Sequence, residues 1–309
     1  MKKLILLLNM GGPRKSCEVE IFLKNMFNDP CILGVKNPFL RKFLAFMITK
    51  MRLKSAQENY KQIGGKSPIC EITQRLCDKL NQNNKFVFDY AMNYTPPFCK
   101  EVLSRHENVD EIVVFPLYPH HSITTVTSSL NDFYKAYNEL GLKAKVQEVR
   151  YFYESKEYNQ IIIKSIKDKI LSMDMGEISM IFSAHSLPQK IINNGDRYEA
   201  HVKEHVKILT NLLEKEGLNF KDVKLAYQSR LGPVKWLEPS LNDVLSLLKN
   251  KKALIYPLSF CVDNSETIFE LDVEYRHIAK ELGFEFYEVC ECPNASDAFA
   301  EFIVNNIKE

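Results

Sequence analysis

Glycine is scarce in this sequence: 11 among 309 residues, about half the usual ~7%. No Gly-x-Gly-x-x-Gly and no Gly-x-x-x-x-Gly-Lys-[Ser/Thr] occurs, so neither glycine device for cradling a dinucleotide or a triphosphate is present. A charge excess of one sign is also missing. Lys plus Arg number 41 against 39 Asp plus Glu, and the formal charge of +2 creates no global field that would attract a polyanion. No nucleic-acid partner is therefore expected. No apolar run approaches the ~18 residues of a membrane span. Met1-Lys2-Lys3 followed by Leu4 to Leu8 imitates the start of a signal peptide, but the run stops at Asn9 without a small-residue cleavage site and reads as a buried strand. The eight cysteines include no Cys-x-x-Cys pair. A reduced, cytoplasmic protein without a disulfide framework is the expectation, and the lone Cys290-x-Cys292 is a weak metal signal.

What is present is a rhythm. Short apolar runs at Leu4–Leu8, Phe86–Ala91, Ile112–Pro116, Lys145–Val149, Ser179–Ser183, Lys224–Tyr227, Ala253–Tyr256 and Phe284–Tyr287 read as strands. Amphipathic stretches between them, such as 158–173, Ala200–Glu216 and Glu266–Leu282, read as helices. The alternation predicts an α/β fold of two Rossmann-like domains, each a four-stranded parallel sheet flanked by helices. The first would span residues 1–150 and the second 151–309, with the last helix, Ser296 to Ile307, packing back on the first domain. One stretch departs from the rhythm. Residues 38–52 combine large apolar side chains with Arg41, Lys42, Lys50 and Arg52, and read as a core helix, the lip of an apolar ligand cleft, or a peripheral membrane contact.

In open parallel sheets, ligands sit outside the carboxyl ends of the strands. The unusual residues gather there: Asn9-Met10-Gly11-Gly12-Pro13, Leu117-Tyr118-Pro119-His120-His121, Ala184-His185-Ser186-Leu187-Pro188, Gln228-Ser229-Arg230, and Asp263-Asn264-Ser265-Glu266. His185 follows a turn of small residues, where an imidazole can accept a proton or bind a borderline metal ion. Glu266, Glu270 and Glu274 recur every fourth residue and share one helix face, either a solvated acidic stripe or a path for cations and protons. Asp272 falls off that face. The single tryptophan, Trp236, together with Tyr60, Tyr94, Tyr118 and Phe260, lies at strand ends or loops; these rings are core or the walls of a slot for a flat apolar molecule.

At these motifs the sequence resembles the ferrochelatase family. The resemblance spans nearly the whole chain and rests on Leu8-Asn9-Met10-Gly11-Gly12-Pro13, Tyr60-x-x-Ile63-Gly64-Gly65-x-Ser67-Pro68, Pro116-Leu117-Tyr118-Pro119, Phe182 to Pro188, Tyr227-Gln228-Ser229-Arg230-x-Gly232-Pro233, and Glu266-Thr267-x-x-Glu270-Leu271-Asp272-x-Glu274-Tyr275. It implies two Rossmann-like domains with the active-site cleft between them and the insertion of ferrous iron into protoporphyrin IX. It further implies His185 and Glu266 as catalytic residues on opposite faces of the porphyrin, with Glu270 and Glu274 joining them as metal contacts on a locally widened helix. Met10, Arg52, Tyr60, Ser67, Tyr94, Trp236 and Phe260 match porphyrin-binding positions. Asn93, Asn264, Thr127 and Arg197 depart from residues common in the family.

The chain ends at Glu309 without a cysteine-bearing tail, so no iron–sulfur cluster is expected, and no tightly bound cofactor; Fe²⁺ is a substrate. Porphyrin and iron are the expected partners, the state a monomer, and the location cytoplasmic or peripheral at the inner face of the membrane. Three alternatives stay open: a coproporphyrin ferrochelatase, a sirohydrochlorin-type chelatase of the same fold, and a non-catalytic haem or porphyrin carrier. His120 and His121 are loop residues or recruiters of a different metal.

Overall fold

The computed structural model describes residues 2–82, 86–170, 174–230 and 232–307; the end of the helix expected over 158–173 lies outside them. The chain divides into two compact units, residues 1–151 with 295–309, and residues 152–294. Each contains a four-stranded, all-parallel sheet flanked by helices.

In the first unit the strands are β1 (Lys3–Asn9), β2 (Val87–Met92), β3 (Glu111–Pro116) and β4 (Lys145–Glu148), in the order β2-β1-β3-β4. The continuous apolar run of β1 is what a central parallel strand needs, because both its faces are covered. Leu4, Leu6 and Leu8 join Ile112 and Val114 in a core with Val102, Leu130 and Phe133 from the helices Cys99–Leu103 and Ser128–Glu139. Ile5 and Leu7, of the opposite parity, are also wholly buried. The C-terminal helix Asp297–Asn306 belongs to this unit, with Phe302 edge-on to Phe115 of β3 at 6.4 Å between ring centres. Lys79 and Asp297 pair at 2.6 Å, but the contact is exposed and screened by solvent, so the aromatic packing rather than the charge seats the helix.

The apolar stretch at 38–52 opens a 25-residue helix, Pro38–Gln62. Asn37 caps it by accepting from the Phe39 and Leu40 amides, and Pro38 occupies the first turn, where a missing N–H costs nothing. Ala45, Thr49 and Tyr60 are its only buried residues. Phe39 is 83% exposed and Met51 70%, with Leu40, Phe43 and Phe46 also open. The core-helix reading of this stretch holds for one face only: Ala45 and Tyr60, with the half-buried Ile48, Leu53 and Ala56, pack into a core cluster, while Phe39, Leu40, Phe43, Phe46 and Met51 stay exposed. Among the described residues no helix is long and apolar enough to cross a membrane.

In the second unit the strands are β5 (Ser179–His185), β6 (Asp222–Gln228), β7 (Lys252–Pro257) and β8 (Phe286–Val289), in the order β6-β5-β7-β8. The first and second units thus share one topology. Ile181, Ala226, Ala253 and Ile255 pack against Leu241, Leu245, Leu271 and Ala279. Two differences from the sequence reading bear on function. β5 continues two residues beyond Ser183, so His185 is its last residue, in register with Gln228. The helix expected over Glu266–Leu282 is a π-helical segment, Glu266–Glu274, followed by the α-helix Tyr275–Glu281. Apolar periodicity registers a helix but not the wider i→i+5 turn, a feature that recurs at functional sites. A second π-helical segment, Ile123–Thr127, follows β3, the equivalent strand of the first unit.

Gly11-Gly12 closes the end of β1 against Ser67. A Cβ on Gly12 would lie 2.6 Å from the Ser67 Cβ, closer than packed atoms tolerate. Gly12→Ala is expected to destabilise the first unit by ~1–3 kcal/mol, the usual cost of overpacking, read as a lowered Tm in a thermal scan.

Candidate active site

The order β6-β5-β7-β8 reverses direction at β5 and β7, and a ligand crevice is expected outside the carboxyl ends of those two strands. His185 ends β5, and Glu266 begins the π segment nine residues after Pro257 closes β7. Their side chains meet there: His185 Nδ1 lies 2.6 Å from Glu266 Oε2. Both groups are partly shielded, 35% and 22% exposed.

Each partner is held by its own scaffold. The His185 amide donates to Ser259 Oγ at 3.1 Å, and the Tyr198 hydroxyl donates to the His185 carbonyl at 2.9 Å. Tyr198 and Ser259 are themselves 2.6 Å apart. The Glu266 amide donates to Asn264 Oδ1 at 2.8 Å, which fixes the first residue of the π segment. Below them, the Ser183 hydroxyl donates to Gln228 Oε1 at 2.6 Å, a buried bond that ties β5 to β6.

Glu270 joins through Ser229, the residue after β6. The Ser229 amide donates to Glu270 Oε1 at 2.6 Å, and its hydroxyl reaches Glu266 Oε2 at 2.8 Å as well as Glu270 Oε2. A hydroxyl carries one proton, so two carboxylate contacts to the same oxygen require a proton on one carboxyl group. Glu270 is the natural holder. Burial and the neighbouring Glu266 charge push it up to about 7, against the pull of the Ser229 hydrogen bonds and His185. For Glu266, burial works upward, but the His185 charge and hydrogen bond outweigh it and hold the carboxyl below its ordinary range. For His185, burial works downward and the Glu266 charge and hydrogen bond prevail, raising it. The result is an imidazolium–carboxylate pair beside a carboxyl group poised near neutrality.

Not every anticipated residue enters this cluster. Glu274 is exposed at the far end of the π segment. Among the described residues, no group of three or more His, Cys, Asp or Glu is arranged to hold a metal ion. The facing atoms of His185 and Glu266 are closed on each other, so an ion would have to open that contact. Cys290 and Cys292 are buried, free thiols, with burial raising both. Trp236, half-buried, bridges to Pro188 and so stands beside the turn after His185; Phe260, also half-buried, sits in the turn after β7.

In the first unit, Met10 packs half-buried against a cluster containing Tyr60 and Tyr94, which are 6% and 5% exposed. These two tyrosines form core wall rather than open surface, and Tyr94 donates its hydroxyl to Asp29 at 2.8 Å. Ser67 is buried against Gly12. Arg52 is half-buried on the long helix and has no ion pair among the described residues. Sequence reasoning missed Ser229, Asn264 as the partner of the Glu266 amide, Tyr198 and Ser259. All four lie in or beside the family motifs, but their roles are hydrogen bonds across 2 to 74 positions of chain, which no periodicity carries.

Comparison with solved structures places the fold first. SirB from Bacillus subtilis with Fe³⁺ matches with a TM-score of 0.58 at 11% identity, covering 99% of this chain and 94% of its own. CbiX, the terminal enzyme for biosynthesis of siroheme in denitrifying bacteria, matches with a TM-score of 0.54 at 12% identity over the full length of both chains. The architecture is that of the chelatases. The ferrochelatase family profile matches residues 2–309, and the chain belongs to that family of enzymes. Curated ferrochelatases are 64% identical over 310 residues in Campylobacter concisus, covering 100% of this chain and 98% of the relative, and 57% identical over 312 residues in Campylobacter fetus, covering 100% and 99%. The ferrochelatase of Sulfurimonas denitrificans is 47% identical over 308 residues, covering 98% of each.

The raised Glu270 has a consequence for stability. Between its ordinary 4.5 and about 7, the folded protein binds this proton more tightly than the unfolded chain, so stability falls as pH rises through that window. Glu270→Gln is expected to flatten that decline, seen by comparing Tm against pH for the two proteins from pH 4.5 to 7.5. An unchanged slope would show that Glu270 titrates normally.

Proposed function

We propose that this enzyme inserts ferrous iron into protoporphyrin IX to give protohaem, the terminal step of haem biosynthesis, with His185 and Glu266 as its catalytic pair. The observation that carries this reading is their 2.6 Å contact at the carboxyl ends of β5 and β7, with Glu270 joined to it through Ser229. Relatives named ferrochelatase over their whole length support it.

Metallation makes three demands: the ferrous ion loses water, two pyrrole N–H protons leave, and the macrocycle buckles so that nitrogen lone pairs point at the metal. Ring distortion costs ~1–5 kcal/mol, offset by binding elsewhere on the substrate. Half-buried Trp236 and Phe260 supply apolar contact, and Met10, Tyr60, Ser67 and Tyr94 are carried as porphyrin positions by the family resemblance. Arg52 supplies a cation for a propionate. As each pyrrole N–H bond breaks, its electron pair stays on nitrogen to ligate iron and its proton passes to the Glu266 carboxylate, the acceptor that the charged His185–Glu266 pair still offers. Glu270, near neutrality, exchanges that proton onward, and the exposed Glu274 is the outermost carboxylate of the series. Iron enters and leaves as substrate and product; the reading requires no resident cofactor and no iron–sulfur cluster. The exposed Phe39, Phe43, Phe46 and Met51 beside Lys42 and Lys50 support peripheral contact with an anionic membrane surface.

Purified protein mixed anaerobically with ferrous iron and protoporphyrin IX is expected to show many turnovers by the shift of the Soret band. Stoichiometric binding without turnover would instead identify a carrier, and turnover confined to coproporphyrin would correct the substrate. His185→Ala and Glu266→Gln are each expected to lower kcat by ~10²–10⁴-fold while porphyrin binding stays measurable. Full activity in correctly folded His185→Ala would overturn the assignment. For the exposed helix, Phe39→Ser with Phe43→Ser is expected to weaken co-sedimentation with anionic vesicles without changing kcat; unaltered sedimentation would remove the membrane contact.

A further inference from the structure

Ser229 has a left-handed backbone, φ +65°, one of three non-glycine residues in that region among those described. The conformation is uncommon outside glycine and asparagine, and it persists where surrounding contacts over-determine it. Asn294, another of the three, is a residue type that tolerates it and is tied to Asp263 by a 2.6 Å hydrogen bond. Serine has no such tolerance. What the turn accomplishes is to bring two donors of one residue onto two carboxylates. The Ser229 amide reaches Glu270 Oε1 at 2.6 Å, and the hydroxyl reaches Glu270 Oε2 and, at 2.8 Å, Glu266 Oε2. Glu270 is thus gripped at both oxygens by a single residue. The Glu266 oxygen it touches is the same one that faces His185.

We infer that Ser229 is a positioning residue whose hydroxyl locks the Glu266 and Glu270 carboxylates to one another, and that its left-handed turn is kept for that purpose at some cost in stability. The inference rests on the reading of His185 and Glu266 as the insertion centre and deepens it. Two glutamates four residues apart can each turn toward solvent, and they repel whenever Glu270 gives up its proton. A bridging hydroxyl keeps them converged on His185, where a desolvating metal ion must be met by groups already in place. A turn serving only the chain path would be better made by glycine, which adopts positive φ without steric penalty. Serine at this position is explained by its hydroxyl.

Glycine is therefore the decisive substitution. Ser229→Gly keeps the amide bond to Glu270 and relaxes the backbone, while removing the bridge. It is expected to have a Tm equal to or above that of the unsubstituted protein and unchanged protoporphyrin affinity by fluorescence quenching. In the anaerobic ferrous iron assay its kcat/KM for iron should fall at least tenfold. Ser229→Ala should lose as much kcat/KM without any gain in Tm. Wild-type kcat/KM for iron in Ser229→Gly would overturn the inference, as would a loss accompanied by a lowered Tm or weakened porphyrin binding, which marks a structural role. His185→Ala in the same assay separates the two levels. An active His185→Ala removes the underlying reading, whereas an inactive His185→Ala beside an unimpaired Ser229→Gly removes the bridge alone.

Discussion

A half-shielded ion pair at the end of a parallel sheet, His185 against Glu266, sets the demands that the rest of the second unit meets. Withdrawing two opposite charges from water is costly unless their geometry is fixed and their remaining hydrogen-bonding capacity is used. The strand ends supply the geometry: β5 and β7 are neighbours in register, so the residue ending one and the helix following the other face the same space. Tyr198 and Ser259 hold the backbone of His185, Asn264 holds the amide of Glu266, and Ser229 occupies the free side of the carboxylate. The buried Ser183–Gln228 bond keeps β5 and β6 aligned beneath them. The pair is thus the upper layer of an ordered stack of polar contacts on an apolar sheet.

This arrangement separates the affinities of three titrating groups in one small volume. The pair stabilises its charged form, raising the imidazole and lowering its carboxylate, while the second carboxyl, shielded and beside a like charge, is left near neutrality. Chemistry that must remove two protons from a substrate near pH 7 benefits from acceptors of different strength that are already in contact. The π-helical segment carries Glu266 and Glu270 to this meeting, its first residue fixed by the Asn264 hydrogen bond. In the first unit the equivalent strand also leads into a π-helical segment, Ile123–Thr127, but with Thr and Val where the second unit has carboxylates. One topology has been used twice, and the acidic chemistry placed on only one copy.

Much of the framework was legible in the residues. The central strands β1, β3, β5 and β7 were visible because each is buried on both faces and so appears as an apolar run, whereas edge strands such as β4, Lys-Val-Gln-Glu with every second residue exposed, showed mainly through their place in the alternation. His185, Glu266 and Glu270 stood out because polar residues at the carboxyl ends of such strands have no role in the core. The helix Pro38–Gln62 was visible as a break in rhythm, yet its exposure was not, since apolar residues in a core and on an exposed surface look alike in one dimension. Tyr60 and Tyr94 illustrate the converse. Their rings read equally as core or as the walls of a slot, and the structure buries both beside Met10. Ser229 was quoted only as part of a polar turn, because its significance lies in a dihedral angle and in two carboxylates roughly forty residues ahead.

The amino-acid order by itself determined the class of fold, the edge of each sheet where chemistry gathers, and the family resemblance, since all three depend on local patterns of apolar and polar residues. Only the tertiary structure decided that Glu266 and Glu270 share one serine and that Glu274 stands apart from them. The physical reason is that a hydrogen bond needs atoms 37 to 81 residues apart to be placed within a fraction of an ångström of the right separation. Those separations are set by the packing of whole sheets, which no stretch of sequence contains.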